Sequence, residues 1–271
     1  GEQTKVANPK NGIKPSKIKG EIEFRNVNFE YGDEQVLKNV NFHVRPGQRV
    51  AIFGQTGSGK STIINLIERF YDAQSGEVLI DGVDIKKYDL HALRRNISIS
   101  MQDVFLFSNT IEDNIRYGIP DIDNSKISWA AEMSDADNFI NKLADSYETI
   151  VGERGVGLSG GQKQRITLAR SIIKDPSILI LDDTTSALDV ETEAAIQRNL
   201  KSIYKGKTTF IIAHRISSIK NSDLILVLDN GEIIESGTHE ELINAHGHYY
   251  DVYKEQYGEY INDGDKKREV I

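Results

Sequence analysis

Arg49-Val50-Ala51-Ile52-Phe53-Gly54-Gln55-Thr56-Gly57-Ser58-Gly59-Lys60-Ser61-Thr62-Ile63-Ile64 decides the fold. A short apolar strand, Arg49 to Phe53, runs straight into a glycine-rich turn. A helix follows from about Lys60 to Phe70, with Ile63, Ile64, Leu66, Ile67 and Phe70 apolar. Gly54 to Ser61 fits the pattern G-x-x-x-x-G-K-[ST]. Its glycines, Gly54, Gly57 and Gly59, let the backbone curl so that N–H groups of Gln55, Thr56, Gly57, Ser58 and Gly59 can face phosphate oxygens. The positive end of the following helix adds to that field at Lys60, Ser61 and Thr62. Lys60 would reach the β- and γ-phosphates, and the Ser61 hydroxyl would ligate Mg²⁺. The flanking strand and helix separate this reading from that of a plain glycine-rich turn.

A second element matches the first. Ile178-Leu179-Ile180-Leu181-Asp182 is a buried apolar strand ending in a carboxylate, where Asp182 would hold Mg²⁺ through water. Strands at Thr208 to Ala213 and Leu224 to Leu228, a hairpin return over Glu232 to Ser236 after Asn230-Gly231, and a helix over Glu191 to Tyr204 continue the alternation. Upstream, Glu21 to Phe29 alternates with Ile22, Phe24, Val27 and Phe29 inward, and Val36 to Val44 reads as its partner strand. Apolar strands alternating with helices predict a largely parallel, covered sheet. The stretch from Leu90 to about Gly157 is mostly helical, broken at Ile97 to Met101, and reads as an inserted lobe.

Bulk properties narrow the class. The 271 residues suffice for one sizeable core with attached lobes. A net charge of -8 argues against a nucleic-acid backbone as the main partner. The absence of cysteine excludes disulfides, thiol catalysis and thiolate metal sites. No run approaches the roughly 18–20 apolar residues of a membrane helix. The first residue is Gly, which fits a domain cut from something longer. Residues 1–19 are polar and lysine-rich and read as a flexible linker, the domain as 20–258 with its helical part at about 90–165, and 259–271 as a charged tail. Trp129 is expected to pack within the helical lobe. His43, His91, His239, His246 and His248 are expected at the surface. Tyr249, Tyr250, Tyr253 and Tyr257 fall near helical spacing and read as core packing of a last helical stretch, Glu240 to Tyr257.

Leu158-Ser159-Gly160-Gly161-Gln162, placed before a helix from Lys163 to Lys174, resembles the LSGGQ signature of ATP-binding cassette (ABC) proteins without a substitution. The family's other elements occur in order: Tyr31 where an aromatic stacks on adenine, Gln102 at the Q-loop, Ser186-Ala187-Leu188-Asp189 at the D-loop, and His214 at the switch histidine. The resemblance covers about Gly20 to Tyr257. It implies a P-loop NTPase (RecA-like) α/β core with an N-terminal antiparallel β subdomain and an inserted α-helical subdomain. It implies ATP and Mg²⁺ as cofactors, with Ser61, Gln102 and Asp182 at the metal, and Asp183, His214 and Gln102 in catalysis. Ser159, Gly160, Gly161, Gln162 and Asp189 would contact the nucleotide of a second, head-to-tail chain. Thr149-Ile150-Val151-Gly152-Glu153-Arg154-Gly155 is similar to an element of exporter-type cassettes. That likeness, to exporters of the multidrug or lipid kind, implies transmembrane partner domains, a place on the cytoplasmic face of the cell membrane, and export of a cargo that is itself unreadable, with drug, lipid and peptide all open.

One position departs from the pattern. The family carries Glu after the Mg²⁺ aspartate, and this chain carries Asp183. The charge is kept, but the shorter side chain displaces the carboxylate, and a displacement of about 1 Å can cost on the order of 10²-fold in rate. Such an Asp resembles the degenerate-site subunit of heterodimeric bacterial exporters, where an intact signature serves the partner's active site; a homodimeric exporter that tolerates Asp is the other reading. Hydrolysis is therefore expected to be weak at this chain's own loop. The alternative is an ATP-gated dimerisation module with little hydrolysis of its own, supporting a competent partner. An importer-type cassette is disfavoured by the Val151 to Gly155 element. A DNA-repair cassette is disfavoured by the lack of long heptads and by the charge.

Overall fold

The computed structural model describes residues 6–101, 103–119, 121–152, 156–183 and 188–266. Two sheets carry the fold. The first is antiparallel, in the order β2-β1-β4-β5, built from β1 (Ile22–Tyr31), β2 (Glu34–Val44), β4 (Ser75–Ile80) and β5 (Val83–Asp84). Ile22, Phe24, Val27 and Phe29 are all buried, although the step from 24 to 27 breaks a period of two. A register shift between Phe24 and Val27, with Asn26 at φ 49°, restores the inward face. The second sheet has the order β10-β9-β3-β8-β7-β6. Its strands β3 (Arg49–Gly54), β6 (Ile97–Ser100), β7 (Ile178–Asp182), β8 (Thr208–Ile212) and β9 (Leu224–Asp229) are parallel, and β10 (Glu232–Gly237) returns antiparallel.

Both faces of the parallel sheet are covered, which is why its strands lack polar alternation. On one face Ile52, Ile180, Phe210 and Leu226 pack with Ile63 and Ile67 of α1 (Lys60–Ile67) and with the antiparallel sheet. On the other, Ala51, Phe53, Ile211 and Val227 pack with α8 (Ile216–Ile219), α9 (His239–Ala245) and α10 (His248–Lys266). Tyr249 is fully buried there, and Tyr253 and Tyr257 are partly buried, as their spacing predicts; Tyr250 instead packs its ring against His246 and under Lys254, outside that core.

The helical lobe comprises α3 (Ile111–Ile115), α4 (Asn124–Met133), α5 (Asp137–Ile140) and one face of α6 (Gly160–Ile172). Ile166 and Ala169 of α6 point into the lobe, whereas Leu168 and Ile172 pack on Leu179 of β7 and on α7 (Val190–Ile203). The lobe is shifted along the chain from the 90–165 expected, with its core running from Leu106 to Ile173. α2 (Leu90–Arg95) leads into β6, which pairs with β7 at the edge of the main sheet, so helical lobe packing begins beyond Ser100.

Several expectations need correction. Residues 6–19 are not a free tether: Ile18 is buried, its N–H donates to Asn96 Oδ1 at 3.1 Å, and Ile13 bridges Tyr88. The last helical stretch is two helices, because His246 adopts a left-handed cap at φ 53°. The second runs on to Lys266, into the 259–271 stretch read as a charged tail. Trp129 is 43% exposed, so it does not fill the lobe. His239 is half-buried and shares a 2.8 Å hydrogen bond with the Tyr249 hydroxyl. No helix among the described residues is long and apolar enough to cross a membrane.

Candidate functional site

The parallel sheet brings three strand ends together. β3 ends at Gly54, β7 at Asp182 and β8 at Ile212, with Asp182 in register with Ile212 and Ile52 in register with the same residue. The carboxyl ends of parallel strands are where crevices form in such sheets. A cleft of about 220 Å³ opens there, lined by Thr56, Gly57, Lys60, Ser61, Asp182 and His214, among others. Sequence positions far apart therefore meet at one site.

Local geometry explains the loop. Gly59 caps α1 with φ 107°, a conformation that penalises side chains, and an added Cβ would lie 2.8 Å from Leu37. The turn between β9 and β10 supports it from behind: Gly231 N–H donates to Ser58 C=O at 3.1 Å. Lys60 is 7% exposed, and its ammonium donates to the carbonyls of Gly54 at 2.8 Å and Gln55 at 2.7 Å. Burial pulls its pKa down, and the charge of Asp182 opposes that shift. Asp182 has its pKa raised, first by burial and then by the charge of Asp183, while Lys60 and His214 act in the opposite sense. A carboxylate and a hydroxyl on one cleft, with phosphate oxygens to complete the set, is the donor chemistry of Mg²⁺. The residues present thus fit the metal.

Asp183 is half-buried at φ 45°, and its N–H donates to Ile212 C=O at 2.8 Å. His214 is exposed, with its carbonyl accepting from Gln256 Nε2 at 2.8 Å. Tyr31 ends β1, its ring edge-on to Phe29 and Tyr71 with centroids 4.7 and 5.2 Å apart, and its hydroxyl accepts from Asn65 at 3.2 Å. It does not line the cleft. Gln102 lies outside the described residues, as do Glu153, Arg154, Gly155, Ser186 and Ala187. Its neighbour Asp103 is described, and its charge raises the pKa of Asp182.

The signature lies elsewhere. Ser159 caps α6, accepting from Gln162 N–H at 3.2 Å, while Gln162 Oε1 accepts from Ser159 N–H at 2.9 Å. This is a capping box, legible as S-x-x-Q before the helix. Gly160 and Gly161 form the first turn behind that cap. Asp189 caps α7, and hydrogen bonds from Thr192 hold its carboxyl below the ordinary range. None of Ser159, Gly160, Gly161, Gln162 or Asp189 lines the cleft. Residues that sequence reasoning missed include Val36 and Ile212, which wall the cleft, and Gly231 behind the loop. No local pattern marks Val36 or Ile212, whereas Asn230-Gly231 was visible as a turn.

A glycine loop at a strand end, an aspartate ending a neighbouring strand and a histidine after the strand between them define a P-loop nucleotide-binding α/β domain. A family model described as ABC transporter matches residues 37–186. The chain is 50% identical over 243 residues to the uncharacterized ABC transporter ATP-binding protein YknU of Bacillus subtilis (strain 168), covering 89% of this chain and 42% of that protein. It is 48% identical over 247 residues to the ATP-dependent lipid A-core flippase of Chromohalobacter salexigens, covering 90% of this chain and 43% of that protein. A solved bacterial Atm1-family ABC exporter with ATP bound superposes with a TM-score of 0.90 at 41% identity, over 94% of this chain and 45% of that chain. The chain belongs to the ABC transporter family, as an ATP-binding domain of exporter type. It spans under half the length of these relatives.

Proposed function

We propose that this domain powers export of a substrate across a membrane by ATP-driven head-to-tail pairing, with transmembrane domains as its further partners. The cytoplasmic face of the cell membrane is its place of action. The observation that carries this reading is the separation of two half-sites. The cleft with Lys60, Asp182 and His214 lies at the sheet, while the signature's capped helix start opens at a different place and lines no part of it. A second copy, or a related chain, supplies the missing half to each cleft, and two-fold rotation closes both.

Within the pair, the N–H groups of the glycine loop and Lys60 hold the β- and γ-phosphates. Ser61 and Asp182, with Gln102, would hold Mg²⁺, which would supply charge neutralisation on the phosphate oxygens. Tyr31 offers a ring to the adenine. Asp183 orients the attacking water and accepts its proton, and His214 donates toward the γ-phosphate. Ser159 to Gln162 and Asp189 act on the nucleotide of the other chain. The Ser159 hydroxyl accepts from the helix, so its proton is available to that nucleotide. The short Asp183 favours a heterodimer in which the partner carries Glu.

Sedimentation tests the arrangement. With ATP and Mg²⁺ the chain should shift from monomer to dimer, and Lys60→Ala should remain monomeric. Gly161→Asp puts a carboxylate in the first turn of α6, where it suits the helix, but faces the partner's phosphates. It should bind ATP and stay monomeric. A Gly161→Asp chain that dimerises like the parent would remove the basis for the proposal.

A further inference from the structure

The chain is acidic overall, with net charge -8. Yet one recess of about 610 Å³ gathers basic side chains from three parts of the sequence: Lys17, beside Ser16, before β1; His91, Arg94 and Arg95 of α2; and Lys174 just past α6. It shares no lining residue with the nucleotide cleft. Its floor is polar, with Asn96 and Ser177 buried and 3.4 Å apart through Ser177 Oγ.

Counter-ions for these charges are few: Asp175 feels Lys17, and Glu68 feels Arg94 and Lys174. Asp175, on the rim, is already paired with Lys207. Arg94 spends its guanidinium on neutral acceptors, Glu68 C=O at 3.1 Å and Arg69 C=O at 2.9 Å, and lies over the Phe70 ring. Among the described residues Lys17, His91, Arg95 and Lys174 make no hydrogen bond or ion pair through their side chains. Glu68 is 9% exposed, and burial raises its pKa to about 7, so it supplies only a fractional negative charge near Arg94 and Lys174. Like charges gathered in a concave wall raise the local concentration of anions. Guanidinium forks and ammonium groups together suit phosphate oxygens, and the volume lies in the range of small-molecule sites.

We propose that this recess is a second site, separate from the nucleotide cleft, which binds a small phosphate-bearing anion. Such a ligand would bridge the segment before β1, α2 and the end of α6.

Calorimetry on a Lys60→Ala chain, whose phosphate loop is disabled, provides the test. Inorganic pyrophosphate is one titrant. Phosphatidylcholine vesicles doped with phosphatidylglycerol are the other. One of them should bind saturably, pyrophosphate pointing to a soluble ligand and vesicles alone to a lipid headgroup. Arg95→Glu and Lys174→Glu, both at exposed positions, should each weaken binding about tenfold, the worth of one charge-assisted hydrogen bond. Lys220→Glu makes the same change in net charge elsewhere and should leave binding unaltered. In the parent chain the emission of Trp129, the sole tryptophan, follows the same titration, because it lines an adjoining depression with Lys17 and Asp175. Binding of neither probe, binding indifferent to both reversals, or equal loss with Lys220→Glu would overturn the proposal.

Discussion

Asp183 is held at φ 45° by the bond from its N–H to Ile212, a left-handed conformation that Asp accepts more readily than Glu. In the proposed catalytic role, backbone preference and reach therefore pull against each other at this residue. Asp183→Glu should raise ATP turnover severalfold and cost a little stability; an unchanged rate in a phosphate-release assay would defeat the geometric argument. Glu68 makes a different prediction. Its carboxyl has an ordinary pKa of 4.5 when unfolded and about 7 when folded, because burial outweighs the fields of Arg94 and Lys174. The folded chain thus binds more protons than the unfolded chain between these values, so stability falls as pH rises from 4.5 to 7. Glu68→Gln should match the parent near pH 4.5 and exceed it at pH 8, by at most about 3 kcal/mol. Thermal melts at the two pH values measure the difference, and a gain independent of pH would refute the assignment. Nothing in the sequence around Glu68 distinguishes it from a solvated helical carboxylate, since its burial depends on α2 packing from outside the segment.

At the scale of elements, the hairpin turn joining β9 to β10 does more than reverse the chain. Gly231 has φ 81°, and a Cβ there would sit 2.1 Å from Val36 C=O. Gly231→Ala should cost about 2–4 kcal/mol through strain and overpacking. It should also weaken nucleotide binding, because the displaced turn withdraws its hydrogen bond from Ser58. A melt and a nucleotide titration together check this, and a stability loss with unaltered affinity would show that the turn does not shape the loop. The elements themselves were mostly legible. β3, α1 and β7 announce themselves through apolar runs and a fixed glycine spacing. Ser159 and Gln162 spell a capping box. β4 and β5 went unread because Ser75-Gly76-Glu77 opens polar and β5 is a two-residue strand. The break at His246 was invisible because that residue tolerates but does not advertise a left-handed cap. The docking of residues 6–19 rests on Ile18 and Asn96, whose meeting no local pattern encodes.

For the whole molecule, the meeting of Gly54, Asp182 and His214 follows from strand order, which places β8 between β3 and β7 although the chain visits it last of the three. The motifs themselves joined the Gly54 to Ser61 loop and Asp182 at one metal, and the family resemblance added His214; the strand order supplies the physical cause. If the proposed pairing holds, defects in different halves should complement. In an Asp183→Glu background, Lys60→Ala and Gly161→Asp chains should each be nearly inactive alone. Mixed, their heterodimers contain one doubly damaged site and one intact site, and turnover should return to a fraction of the parent's. No recovery across mixing ratios would argue that each cleft works alone. The two sheets have a further consequence, for life at high concentration. Every open sheet invites a stray strand to pair with its border, the usual start of aggregation. Here β5 is two residues long, β6 is four residues long and mostly buried, β2 is irregular in register, and β10 carries Glu232 and Glu235. Each border thus refuses a stranger by a different means, and the molecule should remain dispersed when crowded, so that the proposed nucleotide-governed pairing meets little competition from stray strand contacts.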